Sequence, residues 1–198
     1  VEGIVGKVKN DIARDWGLSP DTVVITSATD NSVAPIGVGA IADYEAVGVL
    51  GTSGMLVFHF PRKKSDIILS LVSLPSALNG RFVFSADTGN TGKVIDSFLN
   101  NLVYGEDSFC TDDMPEDIYA RLNEAAGQIP AGSEGVLFLP WFNSGALAPS
   151  GDRFLQGGFI NLSNRTTRNH LARAMLEGIA YNWRWLKESA ETFSRYKF

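Results

Sequence analysis

Cysteine is nearly missing from this chain: among 198 residues only Cys110 carries a thiol. No intramolecular disulfide can form, and no zinc centre can be built from thiolates. Histidine is almost as scarce, with His59 and His170 alone, and neither has thiol or paired acidic residues at ligand spacing, so both read as structural. No apolar run approaches the ~20 residues that span a bilayer, and no signal-peptide pattern opens the chain. Positive charge is in deficit, 17 Lys and Arg against 22 Asp and Glu for a net charge of -5, which gives no electrostatic reason to expect nucleic acid as a partner. Fixed-period repeats and low-complexity tracts do not occur either. These absences lead to an expectation of a reducing, cytoplasmic protein with no membrane partner. Small phosphorylated ligands stay open, because glycine-rich turns bind phosphate through backbone amides.

What is present is the composition of a globular protein, 44% apolar and 20% charged, long enough for one domain plus part of a second. The start at Val1, without a methionine, is read as a piece of a longer protein. Val5, Val8, Ile12 and Trp16 recur at helical spacing, with Gly17 and Pro20 as the stop. A strand over Val23 to Thr26 leads into Ser27-Ala28-Thr29-Asp30-Asn31, followed by a helical run to Ile41 in which Pro35 is tolerable only near the start. Strand, polar turn, helix is the junction at which open α/β sheets hold ligands.

From Ala46 the pattern changes. Ala46 to Leu50 and Met55 to Phe60 are strand-like and flank Gly51-Thr52-Ser53-Gly54, a glycine-pinned hairpin turn. Strands are also expected at Ile67 to Leu74 and Arg81 to Ser85, giving an antiparallel meander. Helices follow after Thr91-Gly92 (Val94, Ile95, Phe98, Leu99, Leu102) and from Pro115 to Ala126. A strand over Gly135 to Pro140 precedes a long loop. From Thr166 or Thr167 a long helix aligns Leu171, Ala174, Met175, Gly178, Ile179 and Leu186 on one face, with Gly178 marking close packing against a neighbour.

Three places carry candidate chemistry. Asp30 reads either as a helix N-cap or as a carboxylate able to accept a hydroxyl proton. The Gly51–Gly54 turn reads either as a plain hairpin or as a phosphate cradle of amides and hydroxyls. Thr91-Gly92 either presents amides to an anion or begins a helix. Asp112-Asp113 is simpler as an acidic cluster before a helix than as a metal pair, and no metal ligands are assigned. Trp183 and Trp185 face different sides of the last helix and read as packing or interface residues.

The order of these pieces resembles the interdomain junction of FGGY carbohydrate kinases, two-domain sugar kinases of the actin-like fold. Asp30-Asn31 follows a strand, Leu-Gly-Thr-Ser-Gly comes about twenty residues later, and Thr91-Gly92 and Phe98-Leu99-Asn100-Asn101-Leu102 come next. Val136-Leu137-Phe138-Leu139-Pro140-Trp141, Gly157-Gly158-Phe159-Ile160-Asn161-Leu162-Ser163, Thr166-Thr167-Arg168 and Arg173-Ala174-Met175-Leu176-Glu177-Gly178-Ile179-Ala180 complete it. The resemblance covers nearly the whole chain and is nearest to xylulokinases.

It implies an actin-like ATPase (ribonuclease H-like) α/β fold, with residues 1–42 ending a first, sugar-binding domain and residues 43–198 forming most of a second, nucleotide-binding one. It implies transfer of the terminal phosphate of ATP, with Mg2+, to a sugar hydroxyl, a pentulose such as xylulose being favoured. Asp30 becomes the catalytic base and, with Asn31, a sugar contact; Gly51, Thr52 and Ser53 face the ATP phosphates; Gly92 and Asp96 lie by the nucleotide. Glu177 and Gly178 are assigned to packing, with Glu177 a structural hydrogen-bonding group. Aromatics exposed on the last helix point to a homodimer.

Departures from the family pattern motivate a rival reading, a non-catalytic sugar- or nucleotide-binding relative. Thr29 stands where glycine is usual, Ser97 where an aromatic is usual, and the Asn143 to Pro149 loop has lost its Glu-Arg pair. The family's early phosphate-binding Asp-Gly strand and its late adenine loop have no counterpart here. Transfer requires both domains to close on aligned substrates, so this stretch by itself is expected to be inactive.

Overall fold

A computed structural model describes residues 3–69, 71–89, 91–105, 107–108, 110, 112–142 and 154–195. The altered loop from Asn143 to Pro149 lies outside them. Where one helix was expected at the start, the chain forms strand β1 (Ile4–Lys7) and then helix α1 (Asn10–Asp15). The apolar spacing of Val5, Val8, Ile12 and Trp16 therefore straddles two elements. Ile4 and Val5 are β-branched and favour extended backbone, and the strand they open pairs with β2 (Val23–Ile25), aligning Ile4 with Ile25, Gly6 with Val24 and Lys7 with Val23, with the register shifting at Val5. Ala13 is the buried apolar residue of this unit, whereas Trp16 is 73% exposed.

Helix α2 (Asp30–Gly37) starts where the sequence placed it but stops short of Ile41. Pro35 is its sixth residue, and the missing amide removes one helical hydrogen bond there. The chain then leaves the helix through a left-handed Gly39 at φ 83°.

Strands β3 (Ala46–Leu50), β4 (Gly54–Phe60), β5 (Val72–Pro75) and β6 (Phe82–Asp87) form an antiparallel sheet in the order β3-β4-β6-β5. The run folds back once, so that β6 lies between β4 and β5. The strand expected from Ile67 begins only at Val72. Residues 67–69 instead lie in a turn, flanked by reciprocal Asp66–Leu71 backbone bonds of 2.8 and 2.9 Å, with the Asp66 carboxylate accepting the Leu69 amide. That turn holds Ile67 and Ile68 in solvent.

Alternation along β4 and β6 sorts their side chains to two faces. Leu56, Phe58, Phe60, Phe84 and Ala86 join Leu186, Ala190 and Phe193 in one buried cluster. There the Phe58 and Phe84 rings stack at 4.6 Å and Phe193 lies 5.0 Å from Phe84. Val57, His59 and Val83, also buried, point the other way, the face on which α2 packs against β3, β4 and β6.

The second cluster is helical. Helix α3 (Gly92–Phe98) runs on through a wide π turn (Leu99–Val103), and α4 (Ile118–Gly127) follows. Strands β7 (Leu137–Leu139) and β8 (Gly158–Ile160) pair antiparallel. They share a buried cluster with α5 (Arg168–Phe193), against which β7 and α4 pack directly; its 26 residues extend about 39 Å. Its first half carries Ala172, Ala174, Met175 and Ile179 into this cluster, its second half Leu186, Ala190 and Phe193 into the sheet cluster, and Trp183 packs against both. Thr167 caps the helix in a capping box with His170, a structural role for that histidine. The predicted close approach at Gly178 is real: a Cβ there would stand 2.4 Å from the Phe138 carbonyl oxygen of β7.

Candidate functional site

Asp30 is the first residue of α2, and Thr29 occupies the cap position without a side-chain cap bond. The cap position that the sequence offered to Asp30 thus falls on Thr29. The Asp30 carboxylate is exposed in the first helical turn, where the unpaired amides of a helix favour negative charge. Asn31 follows in the same turn. The turn is fastened by Ser32, buried, whose hydroxyl accepts the Ala77 amide at 3.0 Å. Beside it the buried His59 shares a 2.9 Å hydrogen bond with Ser76, which also accepts the Leu78 amide. Burial, reinforced by the Arg81 guanidinium and opposed by Asp43, holds His59 below the usual imidazole range.

At the other end of β4 the Gly51–Gly54 segment is a hairpin turn, closed by the Gly51 amide donating to the Ser53 carbonyl at 3.0 Å. Gly51 and Thr52 are exposed and Ser53 half-buried, so the turn faces solvent. The start of α3 docks against it: the Gly92 amide donates to the Gly51 carbonyl and the Lys93 amide to the Thr52 carbonyl, each at 3.0 Å. These two amides hold the hairpin and are not presented to an anion. Gly92 is obligatory at this joint, because a Cβ would lie 2.7 Å from the Gly51 carbonyl oxygen with further hairpin backbone at 3.3 and 3.4 Å.

The hairpin is also supported from below. A Cβ on Gly54 would stand 2.4, 2.6 and 2.8 Å from the Thr91 hydroxyl, the Trp183 indole nitrogen and the Thr88 hydroxyl. Gly51, Thr52 and Gly92 are therefore brought into one contact set. Asp96 sits one turn further along α3, its carboxylate accepting the Tyr119 hydroxyl at 2.8 Å, a bond that raises the Tyr119 phenol above its ordinary pKa. Asp30 belongs to a separate element, α2, fastened beside His59. The sequence reading missed Thr88 and Tyr119, and it took Trp183 as a packing or interface residue without placing it under the hairpin.

Glu177 behaves as a structural group. Its carboxylate accepts the Gly132 amide and the Ser133 hydroxyl at 3.0 Å each and the Arg173 guanidinium at 2.6 Å. Burial by itself raises its pKa, but the hydrogen bonds from Gly132, Arg173 and Ser133 and the Arg173 charge outweigh that and hold it below the usual carboxylate range. Trp185 packs edge-on against Trp141 at 6.3 Å, on a different side from Trp183. No helix among the described residues is long and apolar enough to cross a membrane.

The chain resembles known proteins along almost its whole length. The chain is 34% identical over 178 residues to a xylulose kinase of Staphylococcus epidermidis, covering 90% of this chain and 34% of that protein. Among solved structures, a gluconate kinase of Lactobacillus acidophilus superposes with a TM-score of 0.78 at 26% identity, covering 98% of this chain and 37% of its own. A ligand-bound xylulose kinase of the same organism gives 0.77 at 24% identity, covering 98% and 37%. The chain thus spans about a third of the length of the relatives it matches, and its fold is the actin-like α/β fold of those kinases. Residues 46–195 match the C-terminal domain of the FGGY family of carbohydrate kinases, and the chain belongs to that family.

Proposed function

We propose that the protein of which this chain is part transfers the terminal phosphate of ATP to a sugar hydroxyl, with a pentulose such as xylulose as the acceptor. In this reading residues 1–42 end a sugar-binding domain and residues 43–198 supply most of the nucleotide-binding one. Asp30 accepts the proton of the attacking hydroxyl, and Asn31 joins it at the sugar. The amides and hydroxyls of Thr52 and Ser53 meet phosphate oxygens, with the Gly51 backbone facing the phosphates beside them, while Gly92 and Asp96 line the nucleotide. Mg2+, when bound with the nucleotide, neutralises phosphate charge; the neutral donors of Thr52 and Ser53 suit phosphate oxygens and leave that task to the ion.

The observation that carries the reading is the docked hairpin. A solvent-facing turn of amides and hydroxyls is locked onto α3 through a glycine contact that tolerates no Cβ, which is the pre-organisation phosphoryl transfer demands. The preference for a pentulose rests on the xylulose kinase relative and on the sequence resemblance; the gluconate kinase neighbour makes gluconate the competing acceptor.

The test is ATP-dependent phosphorylation by the full-length protein against xylulose, ribulose, gluconate and glycerol, with Asp30→Ala alongside. Loss of a general base is expected to lower kcat by about 10²–10⁴-fold. An Asp30→Ala enzyme within about threefold of wild type sinks the base assignment. Sugar or nucleotide binding without turnover in the wild type selects the non-catalytic relative that Thr29 and the altered Asn143 loop motivate.

A further inference from the structure

We propose that Trp183 is a positioning residue for nucleotide binding, its indole fixing the height at which the Gly51–Gly54 hairpin meets phosphate. The proposal rests on the kinase reading of that hairpin. The turn has one internal bond of its own, Gly51 to Ser53, so its pose is set by what supports it. Above, the amides of Gly92 and Lys93 grip the Gly51 and Thr52 carbonyls. Below, the Trp183 indole N–H donates to the Thr91 hydroxyl at 3.3 Å, and that hydroxyl lies 3.3 Å from the Thr88 hydroxyl. Thr88 in turn donates its amide to the Gly54 carbonyl at 2.7 Å.

Both threonines are buried. The edge of the indole passes under β3 as well, where a Cβ on Gly48 would touch two ring atoms at 3.5 Å. A phenylalanine at 183 would keep an aromatic ring in this space but lack the indole N–H. It would leave the buried Thr91 hydroxyl one donor short and free to turn away from the Thr88 hydroxyl, loosening the side-chain support beneath Gly54 where the Thr88 amide meets its carbonyl. The indole nitrogen therefore serves the orientation of the hairpin beyond the packing of the core. Thr91 also occupies the cap position of α3, so one hydrogen bond from α5 orders the two elements that meet at the turn.

The experiment is steady-state kinetics on the full-length protein with Trp183→Phe, which keeps an aromatic ring and removes the donor, and Thr91→Val, which keeps the shape and removes the acceptor. Trp185→Phe, on the Trp141 side of α5, is the control. Both test variants are expected to raise KM for ATP about tenfold, as a displaced binding loop does, while kcat and KM for the sugar stay within about twofold of wild type. ATP should change tryptophan emission in the wild type and in Trp185→Phe but not in Trp183→Phe. An unchanged KM for ATP in both test variants overturns the proposal. So does a fall in kcat with both KM values unchanged and a lowered Tm, the signature of lost folded enzyme. A wild type that phosphorylates no sugar takes down the kinase reading itself, and that failure is seen before any variant is compared.

Discussion

Replacing Glu177 with alanine should cost about 3 kcal/mol of stability. The carboxylate holds the turn that feeds β7, in which Gly132, Ser133, Glu134 and Gly135 all have positive φ, at 89°, 48°, 50° and 90°. Two of these are not glycine, and each left-handed non-glycine residue costs on the order of 1–2 kcal/mol unless its surroundings enforce it. In Glu177→Ala the exposed Gly132 amide and the part-exposed Arg173 regain water. The Ser133 hydroxyl, fully buried, does not, and a stranded buried group of this kind costs about 1–3 kcal/mol. Loosening of the contact of β7 with α5 at Gly178 adds to this, and relaxation of the strained turn offsets part of it. For a chain of this size about 3 kcal/mol corresponds to a Tm lower by roughly 6–12 °C.

The same carboxylate gives a pH signature. Its folded pKa lies below the unfolded value of about 4.3, so its contribution is complete above that value and is lost as pH falls through the folded pKa. Urea unfolding followed by circular dichroism at pH 7 and between pH 5 and 3 measures both effects. Glu177→Ala should be less stable at neutral pH and should have a shallower acid slope than wild type. A loss under about 0.5 kcal/mol, the range of an ordinary surface change, together with equal acid slopes, would refute the assignment of Glu177 as the clamp.

Gly178→Ala should destabilise the chain by more than the helix propensity of alanine returns, because the Phe138 carbonyl 2.4 Å from the new Cβ is backbone and cannot swing aside. A melting temperature at or above wild type would show that β7 can shift freely. His59 should make the protein less stable as pH drops below about 6.5, since its folded pKa is depressed and the unfolded chain takes up a proton that the folded one resists. His59→Leu should flatten the stability profile between pH 7 and 5, and an unaltered profile would assign that slope to other groups.

Much of the architecture is legible in the residues because local rules and the final packing agree. Two glycines around Thr52-Ser53, between apolar runs, specify the hairpin, and Thr167 followed by His170 and a 3.6-residue apolar stripe specifies α5. Where they disagree, the periodicity misleads. Val5, Val8, Ile12 and Trp16 mimic one helix face, yet pairing with β2 makes Ile4 to Lys7 a strand, and Asp66 closes a turn that takes Ile67 and Ile68 out of β5. The candidate site divides in the same way. Asp30 before a helix and the Gly-Thr-Ser-Gly turn stand out by residue type and order, as does the resemblance to sugar kinases.

Contacts distant in sequence could be found only in three dimensions. Nothing near Gly54 announces that an indole 129 positions later supports it, nor that Tyr119 bonds Asp96, since each pairing depends on how α3, α4 and α5 pack. Sequence by itself determined which segments are strands and helices wherever turn chemistry and apolar spacing concur, and which short motifs can meet phosphate or accept a proton. Tertiary structure decided which amides are free for a ligand and which are spent on neighbours, because hydrogen-bond partners far apart in the chain are chosen by the packing of whole elements.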